Sequence, residues 1–545
     1  MRASITAFIG PIFADSPLRH ARFRLFYFGS LGTALGFTMA TTVAAWVMAT
    51  LTPSEFMVAL VQTAATAPAL LFGLVAGALA DIVDRRRLIL ATQWLLLSAT
   101  ALLGAAALAG FAGPSTLLTL TFVVGAGLTL YLPAQAASIN DLVAREDLAR
   151  AVALGAVAFN VARAVGPALA GGLAAWVGSG SALLASSLFF VLMIVAVLRM
   201  ERRRHALRGV PETVFSGVLS GLRYARHSPA MRSLMIRNAS FSLCASAFWA
   251  LLPVIARDQL HLGAGGFGLL SGGFGMGAIV GALSIPALLQ KRSLNYIVNG
   301  ATLLWLAAIA LLAATDIVAL AIVAACFGGA AWVAVLAGLS AGTQSSAPGW
   351  VRARAVSVNL VTMQAGLAAG SAVWGAVAAT AGIRIALLTS LVTMLLLLAV
   401  SRRARVAMGS EADVTPGAPL PELAIAVEPQ PTDGPVVIQI EYRIDAENRL
   451  EFLRAIHAVE PARRRNGASS WRVYRDLAED GRFVERFVIE SWAEYVRLRT
   501  RSTMADRALD ARILLLQRAD LPVQISRLIG IDREREGIVD EERSA

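Results

Sequence analysis

The sequence contains little charge and almost no lysine. Only 15% of its 545 residues are charged, whereas 57% are hydrophobic, and soluble domains carry about 25% charged residues. Lys291 is the single lysine, so nearly all the basic residues behind the net charge of +12 are arginines. Many of these stand in short gaps between apolar runs, not in the basic patch that binds nucleic acid. We therefore expect a membrane protein without a nucleic-acid partner.

Patterns typical of metal centres, redox sites and nucleotide-binding loops are also lacking. The two cysteines, Cys244 and Cys326, lie inside apolar stretches and have no metal-ligand or redox spacing. No segment reads G-x-x-x-x-G-K-[ST], so any energy that the protein uses should come from an ion gradient. We expect no metal, no cofactor and no enzymatic activity. The N-terminal segment lacks a signal-peptide pattern, so the first apolar run should remain in the mature chain.

Long apolar runs are what the sequence has in abundance. A helix needs roughly 20 predominantly apolar residues to cross a bilayer, and a helical bundle satisfies its backbone hydrogen bonds within each segment. We predict an all-α membrane protein with twelve spans, which cover residues 26–48, 57–80, 88–110, 117–139, 151–176, 182–199, 233–256, 266–289, 294–313, 317–340, 356–379 and 384–400.

Charge and composition divide the chain further. The predicted parts are an N-terminal arm (1–25), an N-terminal six-helix half (26–199), a central loop (200–232), a C-terminal six-helix half (233–400), a linker (401–435), a small α+β domain (436–530) and a C-terminal extension (531–545). Basic residues are concentrated in alternate loops. In the loops between them, Arg257 and Arg384 are the only basic residues. This asymmetry predicts a multi-pass protein of the cell inner membrane with both termini in the cytoplasm.

The two halves correspond at a constant offset of 204 residues. Gly125 corresponds to Gly329, and the pair Gly166 and Gly171 corresponds to Gly370 and Gly375. Two six-helix pseudo-repeats in parallel are the layout of transporters that alternate around a central site.

One charged stretch, "GALADIVDRRRLI", separates the second and third spans. Asp81 and Arg85 are four residues apart, so they should share a helix face and pair. The stretch resembles the signature of the major facilitator superfamily at Gly77, Leu79, Ala80, Asp81, Arg85 and Arg86, with Asp84 in place of a glycine. The resemblance implies a conformational latch formed by Gly77, Asp81, Arg85 and Arg86. Alternatively, the arginines only anchor the topology and Asp81 balances their charge.

The fifth span contains a charge near its middle, in "FNVARAVGPALAGG". A charged residue there normally faces a cavity or a partner, so Arg163 and Asn160 are expected to line a substrate cavity. Gln364, opposite Asn160 in the repeat, is the third candidate. A structural pairing of Arg163 with a neighbouring helix is the alternative.

The next residues, Gly166, Pro167 and Gly171, resemble the G-P-x-x-G-G element of superfamily antiporters, which implies a hinge in the fifth helix and export. No Asp or Glu lies deep in any span. Proton coupling would therefore use Asp81 or Asp141, or would differ.

Past the spans, the pattern changes to that of a soluble domain. "VVIQIEYRI" alternates like a strand, a helix follows, then two strands and the helix "WAEYVRLRTRSTMADRALDARILLLQ", which suggests a ferredoxin-like domain. His457 and the aromatic residues Tyr442, Trp471, Tyr474 and Trp492 form no catalytic pattern.

The spans and this domain together resemble the transmembrane secretion effector group of the major facilitator superfamily, which includes enterobactin-exporter-like proteins. "EYRID" and "ADRALDAR" are similar to the terminal domain of that group, and the domain resembles dimeric α+β barrels. The resemblance implies secondary active export of a small amphipathic compound (a siderophore, antibiotic or metabolite) by proton antiport. It also suggests self-association through the domain. An importer of the same fold and a membrane-tethered sensor or enzyme are the alternatives.

Overall fold

The computed structural model describes residues 16–144, 146–200, 214–401, 406–417, 425 and 429–530. Its contacts divide the chain into two compact units. The membrane unit comprises Met1–Val214, Met235–Ser340 and Asn359–Val406, and the tail unit comprises Phe215–Leu234, Ala341–Val358 and Ala407–Ala545.

Twelve helices within the described residues are long and apolar enough to cross a membrane, which confirms the predicted spans. The N-terminal six are α1 (Ala21–Leu51), α2 (Glu55–Ile82), α3 (Arg85–Leu108), α4 (Pro114–Leu142), α5 (Leu148–Val177) and α6 (Ser179–Leu198). The amphipathic helix α7 (Val214–His227) precedes the second set. That set is α8 (Pro229–Val254), α9 (Ala264–Lys291), α10 (Leu294–Ala314), α11 (Val318–Ser346), α12 (Arg352–Ala381) and α13 (Ile383–Val400).

Glycines related by the 204-residue offset have equivalent packing roles. A Cβ added at Gly166 would meet Thr38 of α1, and one added at Gly370 would meet Leu243 of α8. Helices α1 and α8 are the first helices of their halves, so the fifth helix of each half packs against the first at the same glycine. The structure thus confirms the two pseudo-repeats.

The corresponding glycines one turn further on join the two halves. A Cβ at Gly171 of α5 would meet the backbone of Gly268 in α9, and one at Gly375 of α12 would meet Ala59 in α2. Absence of a side chain lets the helix backbones approach closely. These two crossings tie each half to the other.

The helical structure is interrupted between α2 and α3, which corrects one expectation. Helix α2 ends at Ile82 and α3 begins at Arg85, and Asp84 caps α3 by accepting a hydrogen bond from Arg87 N at 2.9 Å. The spacing of Asp81 and Arg85 therefore does not place them on one helix face, because that argument requires a continuous helix. Asp84 stands at the glycine position of the signature because a carboxylate caps a helix N-terminus well.

The tail unit contains a four-stranded antiparallel sheet, which confirms the predicted α+β domain. Its strands are β1 (Val436–Arg443), β2 (Ser470–Arg475), β3 (Arg482–Ile489) and β4 (Gln524–Ile529), in the order β2-β3-β1-β4. A short helix in the linker, α14 (Glu411–Val414), precedes them, and α15 (Arg449–Asn466) joins β1 to β2.

The predicted last helix is two helices, and β4 was missed. Helix α16 (Trp492–Arg501) ends before Thr503, whose side chain caps α17 (Met504–Leu514) in a capping box with Asp506. Alternating residues of β1 and β3, together with Phe452 and Ile456 of α15, build the hydrophobic core.

A buried carboxylate organises that core. The Glu485 side chain is fully buried and accepts hydrogen bonds from Tyr442 Oη (3.0 Å), Trp471 Nε1 (2.8 Å) and Arg463 Nε (3.0 Å). Arg463 also pairs with Asp510 at 2.8 Å. Burial, and then the charge of Glu485, raise the pKa of the Tyr442 phenol, so it stays a donor. Among the predicted aromatic residues, Tyr442, Trp471 and Trp492 are buried, whereas Tyr474 is exposed.

Candidate substrate site between the helix halves

Arg163 projects from α5 toward aromatic rings of both halves. Its guanidinium carbon lies 5.9 Å from the ring centroid of Phe159, 5.8 Å from that of Trp249 and 5.6 Å from that of Trp332. Trp249 belongs to α8 and Trp332 to α11, so this cation–π arrangement spans from the N-terminal to the C-terminal half.

Two of these rings, those of Trp249 and Trp332, belong to a cluster of aromatic side chains in the C-terminal half. Its members lie with ring centroids 4.4 to 6.5 Å from their neighbours; they are Phe241, Phe248, Trp249, Phe274, Trp305 and Trp332. The indole N–H groups of Trp249 and Trp332 are buried and meet no acceptor among the described residues. Buried indole N–H groups usually have a hydrogen-bond partner, so these two donors are available to a ligand.

No acid offsets the charge of Arg163 on the helices that surround it. The sequences of α5, α8 and α11 contain neither Asp nor Glu. The described residues thus bring together a guanidinium, three aromatic rings and two indole N–H groups without an acceptor.

The other predicted cavity residues lie on the expected helices. Asn160 is on α5 and Gln364 is on α12, and both are half-buried. The described contacts of the Arg163 guanidinium are with the three rings. Pro167 lies inside α5, which continues through it, with Gly166 and Gly171 in helix-packing positions. The hinge stays a prediction.

The predicted latch residues do not share one contact, since Arg85 and Arg86 bind different helices. Arg85 donates to Asp141 Oδ2 of α4 at 2.8 Å and to Ala137 O at 3.3 Å. Arg86 donates to Leu198 O, at the end of α6, at 3.1 Å. The Asp81 side chain lies outside the described residues, and a Cβ at Gly77 would meet nothing within 4 Å. The latch itself stays a prediction.

A contact between the halves that sequence reasoning missed involves Arg257. This residue, which follows α8, donates to Ala49 O and, at 2.9 Å, to Thr52 O at the end of α1. From the sequence it was only one of two basic residues in the sparsely charged loops. Trp249 and Trp332 were also missed, because a tryptophan in an apolar run carries no signal of its own.

Comparison with known proteins shows which family the chain belongs to. The family model described as "Transmembrane secretion effector" matches residues 13–535. The chain belongs to this family of the major facilitator superfamily. This family and the twelve long apolar helices make it a multi-pass membrane protein.

Two curated relatives share 27% identity with the transporter. One is the uncharacterized MFS-type transporter y4rN of Sinorhizobium fredii, over 40% of this chain and 55% of the relative. The other is the multidrug efflux pump Tap of Mycolicibacterium fortuitum, over 39% of this chain and 54% of the relative. The chain spans about half the length of these relatives.

Solved structures show the same fold. A bacterial homolog of the human lysosomal transporter Spinster, inward-facing and unoccupied, aligns with a TM-score of 0.56 at 14% identity, over 73% of this chain and 100% of its own. The nucleoside transporter NupG aligns with a TM-score of 0.56 at 13% identity, over 70% of this chain and 98% of its own.

Proposed function

We propose that this transporter exports a small amphipathic compound by alternating access, in exchange for protons, across the cell inner membrane with both termini in the cytoplasm. The substrate would combine an aromatic part with an anionic or acceptor-rich part, as many siderophores, antibiotics and metabolites do. The single observation that carries this proposal is the Arg163 guanidinium amid the rings of Phe159, Trp249 and Trp332.

Electrostatics favour an anion over a cation at this site. Arg163 lies on a helix without acids, and the facing helices α8 and α11 also lack them. A cationic substrate would meet an uncompensated positive charge in a medium that screens it poorly. An anionic group would instead receive charge-assisted hydrogen bonds, while the rings hold its aromatic part.

Three observations support export. The family is described as a secretion effector, one relative is named a multidrug efflux pump, and Gly166, Pro167 and Gly171 resemble an element of antiporters. Proton exchange would use Asp141, which pairs with Arg85 at 2.8 Å, or Asp81. Self-association through the α+β domain also stays a prediction.

The test is efflux of an anionic and a cationic aromatic dye of similar size from cells expressing wild type, Arg163→Ala or Arg163→Lys. Each is measured with and without a protonophore. We expect gradient-dependent efflux of the anionic dye, reduced about tenfold or more by Arg163→Ala, because a charge-assisted contact contributes about 1.5–3 kcal/mol.

Arg292→Ala is the matched control. Arg292 lies over the ring of Tyr296 at 5.0 Å, and Tyr296 is 60% exposed, so this arginine is outside the candidate site. Equal loss of both dyes in Arg163→Ala would indicate a structural arginine. Accumulation of the anionic dye inside the cells would reverse the direction.

A further inference from the structure

A second arginine, Arg237, lies in a crevice of the C-terminal half that shares Phe241 with the aromatic cluster of the candidate substrate site. The crevice lies between α8, α10, α11 and α13; its empty volume of about 290 Å³ includes the open space at its mouth, and the enclosed part is about 20 Å³. Its polar lining consists of Arg237, Ser240, Thr302 and Ser401. The remaining lining is apolar.

Arg237 is only partly satisfied by the protein. Its side chain donates from Nη1 to Ser401 Oγ at 3.1 Å and from Nη2 to Asn299 Oδ1. The residue is 7% exposed, and its Nε is buried without an acceptor among the described residues. Both protein acceptors are neutral, so they do not cancel the charge.

The helices around the crevice supply no counter-ion. Neither Asp nor Glu occurs in the sequences of α8, α10, α11 or α13. A buried charge without an opposite charge is costly, and ionisable groups within membranes therefore mark pairing or binding sites. The structure calls for an anion from outside these four helices.

The position and lining of the crevice indicate which kind of anion would bind there. Arg237 is eight residues into α8, or about 12 Å along it, and Ser401 directly follows α13, so the polar end lies close to one membrane face. Lys291 and Arg292 are exposed just before α10 begins, at the same helix ends. Phe241 and Leu398 line the apolar part.

One side of α13 is exposed at the surface of the described structure. Two of its residues near the crevice, Leu396 and Val400, are 61% and 79% exposed. We propose that the Arg237 crevice binds a phosphate group, and that the headgroup of an anionic phospholipid supplies it. Basic pockets between transmembrane helices bind anionic headgroups by the same chemistry.

The test uses the purified full-length protein, stripped of lipid in detergent. Phosphatidylglycerol, phosphatidylethanolamine with the same acyl chains, or inorganic phosphate is added, and the rise in melting temperature is measured for wild type, Arg237→Gln, Arg237→Lys and Arg292→Gln. The ligand-dependent rise separates binding from a purely structural role, which would change only the starting melting temperature.

We expect phosphatidylglycerol to stabilise wild type and Arg292→Gln equally, with about tenfold weaker apparent affinity for Arg237→Gln. Arg237→Lys should keep part of the response, because a point charge still attracts phosphate. An equal response to inorganic phosphate would support the phosphate site and identify free phosphate as its ligand. An unchanged response in Arg237→Gln, or no response of wild type to either anion, would overturn the proposal. If Arg237→Gln does not fold, Ser401→Ala carries the same comparison.

Discussion

Buried charges are treated differently in the two units of this chain. In the tail unit, Glu485 accepts three hydrogen bonds, and Arg463 pairs with both Glu485 and Asp510. In the membrane unit, Arg163 and Arg237 have no acidic partner on the helices around them. The tail-unit charges therefore form a structural network, whereas the absence of an acid near Arg163 and Arg237 is why we propose ligands for both.

A prediction at the residue scale concerns Glu494, which pairs with Arg223 at 2.8 Å and with Arg501 at 2.5 Å. Burial opposes ionisation of Glu494, but the two guanidinium groups outweigh it and lower the pKa of Glu494 below 4.5. We expect Glu494→Gln to increase the opening of α16 about tenfold at pH 7. The measurement is amide hydrogen exchange in the full-length protein, corrected for the intrinsic rate.

The effect of Glu494→Gln should depend on pH. A carboxyl group whose folded-state pKa is depressed stabilises the fold above its unfolded pKa, and this contribution is lost as the pH falls through the folded value. The difference from wild type should thus be complete at pH 7 and shrink below about pH 4.5. Glu451→Gln is the control, since Glu451 is 57% exposed and meets Arg512 only at 3.4 Å. A difference that stays constant with pH would contradict the ion-pair explanation.

Sequence reasoning at this scale found charges but not their partners. Arg163 was predicted because a charge near the middle of a span is conspicuous. Its ring partners come from helices distant in the chain, and nothing in an apolar run identifies which tryptophan faces inward. The argument that Asp81 and Arg85 share a helix face was wrong because the helix ends between them, next to the residue that caps the following helix, and their pairing stays a prediction.

Among the elements, the α5–α9 crossing offers a sharp test. An added Cβ at Gly171 would meet the backbone of Gly268, whereas one at the adjacent Gly172 would meet nothing within 4 Å. We expect Gly171→Ala to lower efflux at least about tenfold relative to Gly172→Ala, because backbone overlap of this kind costs about 1–3 kcal/mol. Efflux rate per amount of protein in the membrane is the measurement. Equal efflux by the two variants would show that the crossing tolerates a methyl group.

Element boundaries were predictable where one physical signal dominates. Hydropathy located all twelve spans, because a bilayer demands long apolar helices. The break between α16 and α17 was missed, although Thr503 and Asp506 have the spacing of a capping box. Strand β4 was missed because it is an edge strand with mostly exposed residues, so it lacks the alternation that a half-buried strand shows.

For the whole molecule, the candidate substrate site lies within one of the two units. Arg163, Trp249 and Trp332 all belong to the membrane unit. We expect deletion of residues 410–545 to leave measurable efflux, because none of those side chains is removed. Efflux is again expressed per amount of protein in the membrane. Complete loss of efflux at normal amounts would instead favour the alternative in which the tail domain does the work.

The tail unit joins the soluble domain to both ends of the α11–α12 connection. Arg501 of α16 lies over the ring of Trp350 at 4.4 Å, and Arg223 of α7 binds Glu494 of α16. Tyr224 of α7 donates to Ser346 O, at the end of α11, at 2.7 Å. If α11 and α12 change position during the transport cycle, the whole domain is carried with their connected ends. A fluorescent label on its exposed surface would then act as a pointer that reports each turnover in real time.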